Sequence, residues 1–248
     1  MANLLPFVLL ITGTFFTGGL VKGVIGLGLP TAAMGLLGLA MPPAQAAALL
    51  LVPSLVTNLW QLLAGRCLGA LLRRLWPMLL GIVAGTLAGS GVIAGRSVHA
   101  ATAALGAALI LYGLVGVAKP RLRIPPRAER WAAPLIGAAT GLVTGATGVF
   151  VIPAVPYLGA LGLEHDALVQ ALGLSFTVST FALAAGLALH GALPFAATRA
   201  SLLAVLPALA GMTLGGRLRA RVRPETFRLC FFVGLLALGA ELLWRGVA

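Results

Sequence analysis

The chain has 248 residues, of which 60% are hydrophobic and only 9% charged. A soluble domain carries about a quarter charged residues, and the mean hydropathy here is +1.07. This composition excludes a soluble enzyme, a disordered chain and a nucleic-acid-binding domain, and it implies an all-α integral membrane protein with the lipid bilayer as its solvent.

A membrane-spanning helix needs about 20 apolar residues to cross a hydrocarbon core of about 30 Å. Long apolar runs at 4–22, 43–64, 75–95, 98–118, 131–149, 167–190, 198–216 and 225–245 predict eight such helices. Two shorter apolar pieces remain, near 30–41 and 152–163. The first follows Gly23-Val24-Ile25-Gly26-Leu27-Gly28-Leu29-Pro30, and the second follows Gly145-Ala146-Thr147-Gly148-Val149-Phe150-Val151-Ile152-Pro153. Each reads as a short re-entrant or broken helix. Met1-Ala2-Asn3 lacks the positive region of a cleavable leader, so the first run is expected to be kept as a helix.

The 17 Lys and Arg residues outnumber the 5 Asp and Glu. Thirteen of them fall in three clusters: Arg66, Arg73 and Arg74; Lys119, Arg121, Arg123, Arg127 and Arg130; Arg217, Arg219, Arg221, Arg223 and Arg228. Short basic loops beside membrane spans stay in the cytoplasm and can touch anionic lipid. No stacking aromatics interleave them, so nucleic acid is not the expected partner.

The two halves match. Gly19 to Gly26 lies over Gly141 to Gly148, and a gap of one residue then aligns Pro30 with Pro153. Further on, Gly85 and Gly89 lie over Gly211 and Gly215, and Gly113 over Gly239. The expected organisation is an N-terminal repeat at 1–118, a basic cytoplasmic linker at 119–130 and a C-terminal repeat at 131–248. In the first repeat the loop after the second long helix is basic, and the next holds only Arg96. In the second repeat the order is reversed, with Arg199 alone first and Arg217 to Arg223 next. With basic loops cytoplasmic, the repeats have inverted topology and the N-terminus is extracytoplasmic. This holds only when each short piece returns to the side where its preceding helix began. Inverted repeats with broken helices near the midplane are a recurring transporter design.

Backbone freed by a helix break exposes N–H groups that favour an anion. The expected substrate-binding residues at the breaks are Gly23, Gly26 and Gly28 in the first and Gly145, Thr147 and Gly148 in the second. Close helix packing is the competing role for the glycines. Lys22 is a charge within an apolar run, which marks a functional candidate. Its competing role is snorkelling to the interface, and its repeat partner is Thr144. Ser54, Thr57, Asn58 and Gln61 share one helical face, and Asn58 and Gln61 are harder to explain by packing. The second repeat offers Ser175, Thr177, Ser179 and Thr180, with Gln170 earlier. Of these, Ser175 and Ser179 are the expected ligands.

The acids are sparse. Asp166 is expected to cap its helix, Glu225 to sit in a first turn, and Glu241 and His190 near helix ends. Cys67 and Cys230 have no metal-ligand spacing, and no cofactor motif, metal set or catalytic triad is present.

The duplicated Gly-rich stretch before a Pro (Gly19 to Pro30, Gly141 to Pro153), the basic loops and the glycine-spaced later helices resemble the sulfite exporter TauE/SafE family. The resemblance covers nearly the whole chain. It implies a permease of the bacterial cytoplasmic membrane that moves small anions such as sulfite, organosulfonates or carboxylates by secondary transport. Protons are its candidate coupling ion, and a homodimer is left open. The alternatives are an anion channel and a membrane-embedded lipid-phosphate enzyme. The enzyme would need an acid near a break, and the sequence places none there.

Overall fold

The structure is a computed structural model that describes residues 4–95, 97–119, 122–193 and 195–248. The regular elements among them are all α-helices: α1 (Leu4–Ile25), α2 (Leu29–Gly38), α3 (Pro43–Ala64), α4 (Leu68–Ile93), α5 (Val98–Ala118), α6 (Pro126–Thr147), α7 (Ala154–Ala160), α8 (His165–Leu189), α9 (Phe195–Leu203), α10 (Val205–Leu218) and α11 (Pro224–Val247). Among the described residues, seven helices are long and apolar enough to cross a membrane. The fifth expected run lies in α6, which is not one of the seven. It starts at Pro126 and carries Arg127, Glu129 and Arg130 at its beginning.

Several boundaries differ from the sequence expectation for local reasons. Helix α6 begins inside the basic segment because Pro126 suits the first helical position and Glu129 lies in the first turn, where the dipole favours an acid. Arg73 and Arg74 are not in a loop. They sit on α4, and Arg74 grips Glu129 with two bonds, Nε to Oε1 at 2.6 Å and Nη2 to Oε2 at 2.8 Å. The seventh run is broken at Ala204 into α9 and α10, three residues before Pro207, which lacks an N–H for the preceding turn. Asp166 is not the cap of α8. The cap position is Glu164, whose side chain makes no capping bond, and Asp166 lies in the first turn. Arg96, the lone charge of its loop, lies outside the described residues.

Two helix pairs run parallel and meet through glycine. A methyl group added at Gly19, Gly23, Gly211 or Gly215 would overlap backbone atoms of the facing helix, which registers α1 along α10. Gly81, Gly85, Gly137, Gly141 and Gly145 do the same for α4 and α6. In a bilayer, helices associate by such close packing rather than by hydrophobic burial. Two other pairs run antiparallel. Gly65 meets Gln170 and Gly173 meets Gln61 and Leu62 between α3 and α8, while Gly106 meets Leu243 and Gly113 meets Phe232 between α5 and α11.

The short helices turn the chain back. Gly26 and Gly28 have φ of 88° and 108°, left-handed values that glycine adopts without strain. The turn brings Leu29 against Gly18, and α2 ends where Arg245 near the end of α11 donates to the Leu39 carbonyl at 3.0 Å. Helix α7 ends beside the start of α6, where the Ile124 N–H donates to the Ala160 carbonyl at 3.3 Å. The starts of α4, α6, α8 and α11 and the ends of α3, α5 and α10 thus gather at one end of the bundle. The described residues of all three basic clusters lie there, while Arg199 and Arg245 lie at the other.

Pro53 interrupts the hydrogen-bond ladder of α3, and Ser201 of α9 repairs it. Its Oγ donates to the Leu49 carbonyl at 2.7 Å and accepts from the Val52 N–H at 3.1 Å. Ser201→Ala should leave the Leu49 carbonyl unpaired and cost about 1–3 kcal/mol. A clear fall in the thermal midpoint in detergent is the expected result, and an unchanged midpoint would show that the repair contributes nothing.

Candidate functional site

Lys22 sits in the last turn of α1, just before the first break. It is 2% exposed, so its amine does not snorkel to an interface. The Nζ donates to Thr57 Oγ1 at 3.1 Å and to Asn58 Oδ1. Thr57 sends its own proton back to the Pro53 carbonyl at 2.8 Å, which leaves its oxygen facing Lys22 as an acceptor. Asn58 Nδ2 donates to Thr180 Oγ1 of α8 at 3.4 Å, and Thr180 donates on to the Phe176 carbonyl at 2.7 Å. Every donor in this relay points away from Lys22, and the Asn58 amide is oriented by it. An ammonium has three protons to donate, and these contacts use two.

Gln61, one turn further along α3, donates through Nε2 to the Gly26 carbonyl at 2.6 Å. The polar face of α3 is therefore fastened to α1 on one side of the break and to the break itself. On α3 and on α8, which packs against it, lie buried oxygens with no hydrogen-bond partner among the described residues: Ser54 Oγ and Gln61 Oε1, Ser175 Oγ and Ser179 Oγ. Buried polar groups are normally paired, and unpaired ones on two packed helices are where a ligand would find partners. The carboxylates are elsewhere. Glu129, Asp166 and Glu225 lie in first turns, Glu164 precedes α8, and Glu241 pairs with Arg245 at 2.7 Å. Among the described residues, no salt bridge reaches Lys22.

The remaining expected site residues divide. Gly26 has open space at its Cα, whereas Gly28 lies against Val21 and Phe231. Gly23 and Gly145 face α10 and α4, and neighbouring backbone fills the space a side chain would take. Gly148 has φ 73° and touches the Met34 side chain of α2, so the second break meets the helix that follows the first. Thr147 closes its own turn, donating to the Val143 carbonyl at 2.6 Å and accepting from the Val149 N–H at 3.2 Å. Thr144, facing Lys22 in the repeat alignment, bonds the Thr140 carbonyl at 2.8 Å. Gln170 is a fastener: it donates to the Leu62 carbonyl at 2.7 Å and accepts from the Cys67 N–H at 2.8 Å, joining the end of α3 to the start of α4. Thr177 bonds the Gly173 carbonyl within its own helix. Cys67 and Cys230 are free and exposed, and His190 Nδ1 faces the Gly186 carbonyl at 2.8 Å.

Tyr112 was not a candidate from sequence. It is one of two tyrosines in the chain and is 2% exposed in the middle of α5. Its hydroxyl is buried without a partner among the described residues, although a buried tyrosine usually finds one. A lone phenol inside an apolar run was the available signal.

A family model described as "Sulfite exporter TauE/SafE" matches residues 10–242. No curated protein and no solved structure matches the chain.

Proposed function

The chain belongs to the sulfite exporter TauE/SafE family of membrane transporters, and on that premise we propose that it is a secondary carrier of small anions, sulfite or an organosulfonate or carboxylate. The observation that carries this reading is the buried Lys22 amine. It lies in a membrane-spanning helix, has no carboxylate partner among the described residues, and is held by Thr57 and Asn58 with one proton to spare. Burying an uncompensated charge is costly, and an arriving anion offsets that cost. Lys22 supplies the charge, while Asn58, Gln61, Ser54, Ser175 and Ser179 supply orientation and hydrogen bonds. Gly26 and Gly28 open the first break and the start of α2, and Thr147 and Gly148 form the second. Gly23 and Gly145 serve by bringing α10 and α4 close enough to carry the breaks.

The architecture is two inverted repeats, 1–118 and 131–248, joined by the segment between them, each with a re-entrant hairpin and three crossings. Helix α6 is the eighth long helix and supplies the first arm of the second hairpin. Three features support this. Helices α3 and α8 are antiparallel, as are α5 and α11, and each is a pair of repeat equivalents. The parallel glycine seams α1–α10 and α4–α6 exchange places under the same alignment. Both short helices bring the chain back to the end where their hairpins start. The basic end is cytoplasmic, the N-terminus is extracytoplasmic, and the setting is a bacterial cytoplasmic membrane. Alternating access then moves the repeats about the fixed site, with protons as the coupling ion.

Two experiments test the proposal. In counterflow, liposomes holding the purified protein and loaded with unlabelled sulfite, sulfoacetate, sulfate or lactate are given labelled sulfite outside. Transient, saturable accumulation that depends on the trapped anion is expected, and uptake indifferent to it would indicate a channel. For sidedness, a cysteine replacing Arg199 should react with an impermeant reagent from outside the cell, and one replacing Arg221 only after lysis. The reverse pattern would overturn the orientation.

A further inference from the structure

A cavity of about 380 Å³ opens at the basic end of the bundle, bounded by α1, α5, α7, α11 and the first break. Its wall is largely apolar and includes Leu27 of the break and Val155 and Pro156 of α7. Three polar groups interrupt that wall. Lys119 and Arg228 line its outer part, and Tyr112, deeper in α5, lines it as well, its hydroxyl buried and without a hydrogen-bond partner among the described residues. The positions are fixed by packing. The Tyr112 ring stands edge-on to Phe232 at 5.1 Å, and the Arg228 guanidinium lies 5.9 Å over the same Phe232 ring. A separate cleft beside it is lined by Lys119 and Arg228 together with Glu225. Ile25 also lines the main cavity, and Lys22 lies three residues earlier on α1, about one helical turn.

We propose that this cavity is the docking chamber on the basic side, where an organic oxyanion waits before passing to Lys22. The inference rests on the carrier reading above and names the class of anion. The two cations draw the anionic head in, the Tyr112 hydroxyl donates to it at the inner end, and the apolar wall accepts a short carbon body. A fully inorganic anion gains only the head contacts. A sulfonate or carboxylate on a short carbon chain gains both, so it is the preferred class. Cationic clefts with low-dielectric walls raise the encounter rate of anions by about 10- to 1,000-fold.

The test uses the full chain with Cys67→Ser and Cys230→Ser, and Val115→Cys as the reporter inside the cavity. In phosphatidylcholine nanodiscs, the sulfonate-bearing methanethiosulfonate should label this cysteine about tenfold faster than its trimethylammonium counterpart. Sulfoacetate should slow the labelling saturably. Arg228→Gln should remove most of the preference for the anionic reagent. Tyr112→Phe, which keeps the ring and its packing, should keep that preference and lose the protection by sulfoacetate.

Equal rates for the two reagents, a preference that survives Arg228→Gln, or no protection by sulfoacetate would each overturn the proposal. Anionic lipid offers the same head chemistry. Blocked labelling in phosphatidylglycerol nanodiscs, with sulfoacetate without effect, would assign the chamber to a headgroup and overturn it as well. None of these readings requires turnover. Protection without counterflow would leave the chamber standing and remove the carrier, and counterflow without protection would do the opposite.

Discussion

Lys22→Ala is expected to lower the kcat/KM of anion counterflow by about 10- to 100-fold while leaving the protein folded and close to its original stability. A hydrogen bond to a charged group contributes about 1.5–3 kcal/mol, and each 1.4 kcal/mol is about tenfold. The second half of the expectation separates function from folding. Among the described residues Lys22 has no carboxylate to strand when it is removed; Thr57 keeps its bond to the Pro53 carbonyl and Asn58 Nδ2 its bond to Thr180, while Asn58 Oδ1 loses its donor at a cost of about 1–3 kcal/mol. Truncating it also lifts the cost of a buried charge, which offsets that loss. Counterflow kinetics and a thermal midpoint on the same preparation check both halves. Unimpaired transport would remove Lys22 from the site, and a collapsed midpoint would make it a structural residue.

Gly141→Val and Gly211→Val should each cost several kcal/mol or prevent insertion of folded protein. Gly141 lies against the Ile82 carbonyl and the Thr86 amide, and Gly211 against the Phe16 carbonyl and the Leu20 amide. Even a methyl would overlap backbone, which cannot rotate aside as a side chain can. Overpacking of a well-packed interior costs about 1–3 kcal/mol where neighbours can adjust, and these cannot. Gly216→Val, with open space at its Cα, is the control. Monodisperse protein yield and denaturant midpoint are the readouts. Losses at Gly141 and Gly211 with a spared Gly216 are expected, and equal tolerance at all three would remove the glycine seams as the basis of assembly.

How much of this was legible in the sequence follows from the range of each interaction. A charge inside an apolar run marked Lys22, because local composition is enough to make it costly. Helical spacing placed Ser54, Thr57, Asn58 and Gln61 on one face, because that periodicity is also local. What Lys22 touches was not legible, since Thr57 and Asn58 lie 35 and 36 residues away. Nor was the orientation of Asn58, which depends on Thr180, 122 residues on. The roles of the glycines were only half visible. The spacing identified Gly23 and Gly145, and only the facing helices show that their space is filled by α10 and α4. Gln170 looked like part of a polar stripe because sequence cannot reveal that its amide spans the end of α3 and the start of α4. The repair of Pro53 by Ser201 and the unpaired Tyr112 hydroxyl escaped for the same reason.

The most direct test of the central claim uses the fact that the chain has only two lysines, Lys22 and Lys119. Protein labelled with 15N at the lysine side chain gives two Nζ resonances, and Lys22→Ala identifies the buried one by its loss. Titration with sulfite or sulfoacetate in a nanodisc should shift the Lys22 resonance saturably, with the same apparent Kd as the half-saturation of counterflow. A Lys22 resonance that stays fixed while labelled anion is transported would place the substrate elsewhere and contradict the account.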